Sequence, residues 1–401
     1  MVQEMKLTET ILLLFTSMLG SGIIFIPIAF KSAGYLGGLI NLLILAILIS
    51  FSLIVISYGV RKLENDELSL FHLCRKAHPI FGYLSAMSIS ILGIVSCFLV
   101  ISLSVSWLSK IMNITEKLYS VLLKIFISIP LFYISAQNSL SRLKYVAYIS
   151  MFAITYFIFL TFSAFYTTKG LNIKTSPINS DIGIATSKFM FSLCVHSNFV
   201  PAFGALRNKS TKNILVISFC TILMGTIIYA LIGLLGYFAI GDDCQSMDFL
   251  SALLDKNTKV NQYLSINDRS ILIDFGCLSF ILLLLASFPF QAIPSRNSLM
   301  KIFIFIFKIN NSCRYEKIYR IGFTFLVTLL SLSIAIYDPD INFLINIIGA
   351  VFINLYCLFL PSISYIFTHK TKNIVYAISI FLIIFSIGLM TYMLYNIIIK
   401  D

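Results

Sequence analysis

The sequence predicts an all-α polytopic membrane protein, and three observations carry that prediction. The 401 residues are 59% hydrophobic and only 11% charged, with a mean hydropathy of +0.95, where soluble domains carry roughly 25% charged residues. Apolar segments about 20 residues long, enough to cross a bilayer, recur from end to end. Short connections separate them, so residues 1–401 read as a single integral domain with no soluble one beside it.

Eleven spans follow in order. The first, 7–30, is apolar but holds Gly20-Ser21-Gly22 and Pro27; the second is 36–60, and the third, 79–108, ends at Trp107, the sole tryptophan, where an interfacial anchor is expected. In the fourth, 118–136, Lys124 near one end is placed to snorkel to the headgroups and Pro130 to kink the helix. The fifth, 145–166, is plainly apolar. The sixth, 187–206, carries His196, Ser197, Asn198, Pro201 and Gly204 in otherwise greasy surroundings. The remaining spans are 213–240, 270–294, 320–337, 341–366 and 373–397.

Charge sets the orientation. With the N-terminus inside, one set of loops holds eighteen of the 29 Lys and Arg, including Arg61, Lys62, Arg75, Lys76, Arg207, Lys209 and Arg296, but only six of the 17 acids. The net charge of +12 therefore sits on one face, which the positive-inside rule makes cytosolic. The C-terminus is then luminal or extracellular. This basicity reads as topology rather than nucleic-acid binding. The first run is too long for a signal-peptide core and lacks a cleavage site. Eight cysteines form no C-x-x-C pair and only Cys244 lies in an outer loop, so neither a disulfide framework nor a zinc site is expected. Of three glycosylation sequons, Asn113 lies outside but against the membrane, and Asn208 and Asn310 face the cytosol.

The spans divide into five, five and one: 7–166, 187–366 and the extra helix 373–397. An odd number per set makes the second cross opposite to the first, the condition for an inverted repeat. Spans one and six then correspond, and both are interrupted. Hydrocarbon penalises unpaired backbone, so two matched breaks point to a ligand site at mid-membrane depth. The first half-helix offers N–H groups around Ser21 and Gly22 to a carboxylate, and uncoiled carbonyls near Ser197 and Asn198 accept from an ammonium. A zwitterion is met by backbone alone, with few ionisable side chains.

The run Leu19-Gly-Ser-Gly-Ile-Ile-Phe-Ile-Pro27 through Gly34, with Gly37-Gly38, resembles the first-span signature of the amino acid/auxin permeases of the amino acid–polyamine–organocation superfamily. His196-Ser-Asn-Phe-Val-Pro201 with Leu206-Arg-Asn-Lys-Ser210 is similar to that family's sixth span and exit. Gly236-Tyr237-Phe238 resembles the close of its seventh, Pro289-Phe-Gln-Ala-Ile-Pro294-Ser-Arg296 the end of its eighth in a form closer to fungal vacuolar members than to sodium-coupled neutral amino acid transporters. Asp340-Ile-Asn, Gly349-Ala350 and Leu360-Pro361-Ser-Ile-Ser-Tyr365 resemble its tenth. The resemblance spans nearly the whole chain. It implies eleven helices in a LeuT-like five-plus-five inverted repeat, with helices 1 and 6 broken, and ion-coupled amino acid transport.

The expected substrate site is Ser17, Gly20, Ser21, Gly22, His196, Ser197 and Asn198, and the expected ion-coupling set is Thr16, His196, Ser287 and Asp274. Thr16 replaces the asparagine of sodium-coupled relatives, while Ser287 aligns with their sodium-binding hydroxyl, so protons are the expected coupling ion and sodium the alternative. Ala205 stands where several relatives carry an acid. His196 suits proton exchange near neutral pH or, as a neutral imidazole, a bond to an uncoiled carbonyl. Asp274 suits a proton acceptor facing a cavity or a first-turn carboxylate at a positive helix end. No P-loop, H-E-x-x-H, G-x-S-x-G or paired-carboxylate pattern supports an enzyme. The expectation is a proton-coupled transporter of neutral amino acids in a vacuolar or plasma membrane, with no cofactor, nucleic acid or obligatory protein partner. An amino acid sensor with little flux is the rival from another class.

Overall fold

Apolar runs with no internal polar face become long helices, and the chain is built of them. The structure is a computed structural model, and it describes residues 5–61, 63, 69–137, 144–169, 173–242, 248–255, 258–266, 270–308, 313–369 and 373–400. Cys244, the sequon at Asn310, and Lys62, Arg142, Lys370 and Lys372 lie outside the described residues.

The first span is α1 (Leu7–Met18), a 3-10 turn (Ser21–Phe25) and α2 (Ile26–Ala33), then come α3 (Tyr35–Val60), a short α4 (Leu70–Ala77), α5 (Pro79–Ile111), α6 (Lys117–Ser135) and α7 (Lys144–Thr168). The sixth is α8 (Ile182–Leu193) with α9 (His196–Gly204), followed by α10 (Thr211–Ile240), the short α11 (Phe249–Leu254) and α12 (Lys259–Ile266), α13 (Ser270–Ile306) and α14 (Cys313–Tyr337). The tenth starts as α15 (Ile341–Ile347), continues through two π-helical stretches (Ile348–Ile353 and Leu355–Phe359) and ends as α16 (Leu360–Thr368), before α17 (Ile374–Lys400).

Among the described residues nine helices are long and apolar enough to cross a membrane, and the pair Leu7–Met18 and Ser21–Ala33, bent by 51°, is long and apolar enough only when taken together. The eleventh expected span is α8 with α9. At 1.5 Å per residue these reach about 18 and 14 Å, each short of a bilayer but together close to its ~30 Å core.

Hydrogen bonds between loops sort the helix ends into two faces. On one, Met5 N–H donates to Ala205 O at 2.8 Å, Arg207 N–H to Met5 O at 3.2 Å, and the Arg61 guanidinium to Lys209 O. On the other, Tyr35 N–H donates to Ser176 O at 3.1 Å, Asp242 N–H to Lys174 O at 2.8 Å, and Asn179 Nδ2 to Lys31 O at 2.7 Å. The start of the first span and the end of the sixth therefore share a face, as the alternating order of spans requires.

Two packed groups emerge. α5 lies along α13 and α14, tied by Ser295 Oγ to Ser90 O at 3.0 Å and Ser331 Oγ to Ile94 O at 2.9 Å. α10 packs on α1, α2 and α3, and α2 on α8. α17 is clipped to the tenth span through Asn354 Nδ2 to Ser386 O at 2.8 Å and Ser386 Oγ to Asn354 Oδ1 at 2.9 Å.

Three expectations are corrected by packing. Trp107 is fully buried, its Nε1 donating to Ser251 Oγ at 3.4 Å and its ring edge-on to Phe280, because α11 folds over the end of α5. Lys124 does not snorkel: it is 7% exposed, and its Nζ donates to Ala335 O at 2.6 Å and lies 3.8 Å from Asp338 at the end of α14. The eighth span runs twelve residues past its expected end, so Arg296 is a buried group rather than a loop cation, donating to Ser135 O and, at 3.1 Å, to Thr324 Oγ1.

Candidate functional site

Glycine at positions 20 and 22 decides how the first span is interrupted. α1 ends when Leu19 leaves helical geometry (φ −80°, ψ 84°), and Gly20 follows at φ −126°, ψ −145°. The new turn closes its first bond from Ile23 N–H to Gly20 O at 3.3 Å. The N–H groups of Ser21 and Gly22 precede that bond, so they have no carbonyl within the turn to pair with. Pro27 falls in the first turn of α2, where its missing donor is harmless. It starts the second half-helix rather than kinking a continuous one.

In the sixth span α8 ends at Leu193, Cys194 is extended (φ −72°, ψ 104°), and α9 restarts at His196. The sequence places the uncoiled carbonyls at Ser197 and Asn198, but the uncoiled residues are Cys194 and Val195, three positions earlier. Ser197 and Asn198 occupy the first turn of α9, where Val195 O already accepts from Asn198 and Phe199 N–H at 3.1 Å each. The carbonyls left over by the break are those at the end of α8.

The two breaks face each other. Ser192 Oγ donates to Gly22 O at 3.1 Å, and a Cβ built on Gly22 would stand 2.7 Å from Ser192 Oγ and 2.8 Å from Ser192 Cα. Gly22 is thus a contact glycine, letting the turn lie against α8. Gly20 is different. It is buried, yet a Cβ built on it meets nothing within 4 Å, so its missing side chain opens on empty space at the junction.

Tyr229 of α10 closes the far side: its hydroxyl reaches Met18 O at 3.0 Å and Ser192 O at 2.9 Å, the carbonyl ends of α1 and α8. Sequence reasoning passed over this residue, although the signal was present. Gly225, Gly233 and Gly236 share one face of the seventh span with Tyr229, and Cβ atoms there would strike Met18, Phe30 and Pro27 respectively. Small residues flanking a buried tyrosine mark a helix that receives a neighbour. Lys188, 3% exposed in α8, was also missed.

Of the expected site residues, Ser21, Gly22 and His196 are buried, while Ser197 and Asn198 stay partly accessible. His196 Nε2 lies 3.2 Å from Ser52 Oγ, and Nδ1 has no hydrogen-bond partner among the described residues. Thr16 and Ser17 turn their hydroxyls back on their own helix, Thr16 to Leu12 O and Leu13 O at 2.9 and 3.0 Å and Ser17 to Leu14 O at 2.9 Å. Ser287 does the same to Leu284 O at 2.8 Å. Asp274 is half-buried near the start of α13, about 20 Å along the helix from Ser287, so these two do not form one cluster. An open apolar groove of about 440 Å³ lined by Ile114, Tyr119, Leu122, Phe126 and Ile129 lies on α6. It is a lipid-facing surface, away from the breaks.

Relatives bear on this arrangement. The chain is 27% identical over 310 residues to Vacuolar amino acid transporter 7 of Saccharomyces cerevisiae, an alignment covering 72% of this chain and 58% of that protein. It is 24% identical over 383 residues to Vacuolar amino acid transporter 5 of Schizosaccharomyces pombe, covering 91% and 85%. The chain thus spans less than two thirds of the first of these relatives and most of the second. Among solved structures, the crystal structure of MhsT in complex with L-phenylalanine superposes with a TM-score of 0.64 at 13% identity, covering 97% of this chain and 98% of that one. A Na+-coupled sialic acid symporter superposes with a TM-score of 0.57 at 13% identity, covering 96% and 89%. These share the LeuT-like fold, and at such identity they speak to the fold alone. The profile of the family described as transmembrane amino acid transporter protein matches residues 3–399, and the chain belongs to that family, the amino acid/auxin permeases.

Proposed function

We propose that this chain is a secondary active transporter of neutral amino acids, driven by protons, which alternates access around the breaks in its first and sixth spans. The observation that carries the reading is the empty space at buried Gly20, next in the chain to the N–H groups of Ser21 and Gly22, which no carbonyl of their turn takes. The carboxylate of a bound amino acid takes the two N–H groups at the positive end of the 3-10 turn. Its ammonium takes carbonyls at the end of α8, while Ser197 and Asn198 line the accessible side. Few charged groups surround the space, which suits a side chain without charge of its own.

In this reading the chain crosses the membrane eleven times, with 7–166 and 187–366 as inverted repeats and α17 outside them. The packing supports the pairing: α3 meets α10, α5 meets α13, α6 meets α14, and the first span meets the sixth, so four of the five matched pairs lie together. The group built on α5 and α13 is the frame, and the group holding both breaks rocks against it. Charge asymmetry supports a cytosolic N-terminus, and the named relatives favour a vacuolar membrane. Protons are preferred to sodium because Thr16 supplies one hydroxyl, turned into its own helix, in place of a carboxamide oxygen.

Uptake of labelled neutral amino acids by proteoliposomes tests the reading. An imposed proton gradient is expected to drive accumulation above equilibrium, saturably, and a sodium gradient is expected to add nothing. Saturable binding without flux would make the protein a sensor instead, and accumulation that requires sodium would overturn the choice of ion.

A further inference from the structure

The residues that interrupt the sixth span also bring together three soft ligands. Cys194 Sγ and Cys357 Sγ are 3.4 Å apart although 163 residues separate them, and with one imidazole nitrogen of His196 all three ligand atoms lie within 4.8 Å of one another. His196 and Cys357 are fully buried and Cys194 is half-buried. Two sulfurs bound to one zinc at about 2.3 Å each stand about 3.8 Å apart at the tetrahedral angle, so small adjustments would complete the geometry.

Ser52 fixes the imidazole. Its hydroxyl donates to Cys357 O, which leaves its oxygen to accept, and His196 Nε2 at 3.2 Å is the N–H that donates to it. A neutral imidazole protonated at Nε2 holds its lone pair on Nδ1. That atom is buried and has no hydrogen-bond partner among the described residues, an unfavourable state unless a ligand takes it. A histidine oriented through its second nitrogen by an outer hydrogen bond is how proteins present imidazole to metals.

We propose that Cys194, His196 and Cys357 bind a zinc ion. Zn2+ displaces one proton from each thiol, forms two Zn–S bonds and one Zn–N bond, and releases both protons to solvent. Two thiolates, a neutral imidazole and a divalent cation sum to zero charge, which a buried site favours. Cu+ with the same ligands would leave a net negative charge, and Mg2+ or Ca2+ would need oxygens that this set lacks. Three protein ligands leave the fourth tetrahedral position open. The ion bonds the α8–α9 junction to the π-helical stretch Leu355–Phe359, so the loaded protein is held in one conformation. This inference does not depend on the transport reading, because it is read from metal content and spectra rather than flux.

The test uses the purified full chain in detergent with a phosphine reductant present to keep the cysteines reduced, loaded with zinc and then dialysed against metal-free buffer. One retained zinc per chain is expected. Loading with Co2+ instead is expected to give the intense visible bands of a tetrahedral site and a sulfur-to-cobalt charge-transfer band. Cys194→Ser and Cys357→Ser are each expected to abolish that band, and Cys220→Ser, on α10, to leave it unchanged. If the first two variants fail to fold, the wild-type cobalt spectrum decides alone. Zinc lost on dialysis, a cobalt spectrum without a sulfur band, or a band that survives in folded Cys194→Ser and Cys357→Ser overturns the site.

Discussion

Replacing Gly20 by alanine is expected to leave the protein folded and to weaken amino acid binding at least tenfold, or about 1.4 kcal/mol. The added methyl meets nothing within 4 Å, and φ there is negative, so stability should shift by no more than about 1 kcal/mol. The methyl does fill the space assigned to the substrate. Gly22→Val is expected to behave oppositely. Its Cβ would press on the backbone of Ser192, which costs about 1–3 kcal/mol as overpacking and drives the turn off α8, so stability and transport fall together. Thermal unfolding and equilibrium binding on the two variants separate the cases. Wild-type affinity in Gly20→Ala would mean that the void is not the substrate space, and a fully stable, active Gly22→Val would mean that the two breaks need not touch.

Tyr229→Phe carries the second large effect. One hydroxyl bridges Met18 O and Ser192 O, and its removal breaks that link between the ends of α1 and α8, leaving Met18 O only its bond from Gly20 N–H, in a place water does not readily reach. Interhelical hydrogen bonds in membranes contribute about 1 kcal/mol. A modest fall in thermal stability is therefore expected, with a much larger fall in transport, at least tenfold, because the ends of α1 and α8 lose the group that registers them to each other. A variant with unchanged uptake would show that tyrosine to be an ordinary packing residue.

The contrast between these residues and the ones visible in the sequence has a physical cause. Gly20, Gly22 and Pro27 announce the first break because glycine and proline are intrinsically poor inside a helix. At the second break the uncoiled residues are Cys194 and Val195, which carry no such signature. The polar cluster from His196 to Asn198 instead begins the next helix, so the expected break at Ser197 and Asn198 is offset by three. Hydropathy gives the depth of a residue and not the side of the helix it occupies, which is why Trp107 and Lys124 were placed in the lipid interface and are found buried against α11 and α14. The segment Pro289–Arg296 resembles the end of the family's eighth span, yet α13 passes through both of its prolines to Ile306. The meeting of Cys194 with Cys357 depends on how the sixth span packs on the tenth, a long-range fact that spacing along the chain does not encode.

A density map of the protein with a bound neutral amino acid tests the central claim most directly. The account predicts the ligand in the space at Gly20, its carboxylate about 3 Å from the N–H groups of Ser21 and Gly22 and its ammonium toward the carbonyl end of α8. A ligand bound elsewhere with that space left empty, or a first span that runs as unbroken helix from Met18 through Gly22, would contradict it.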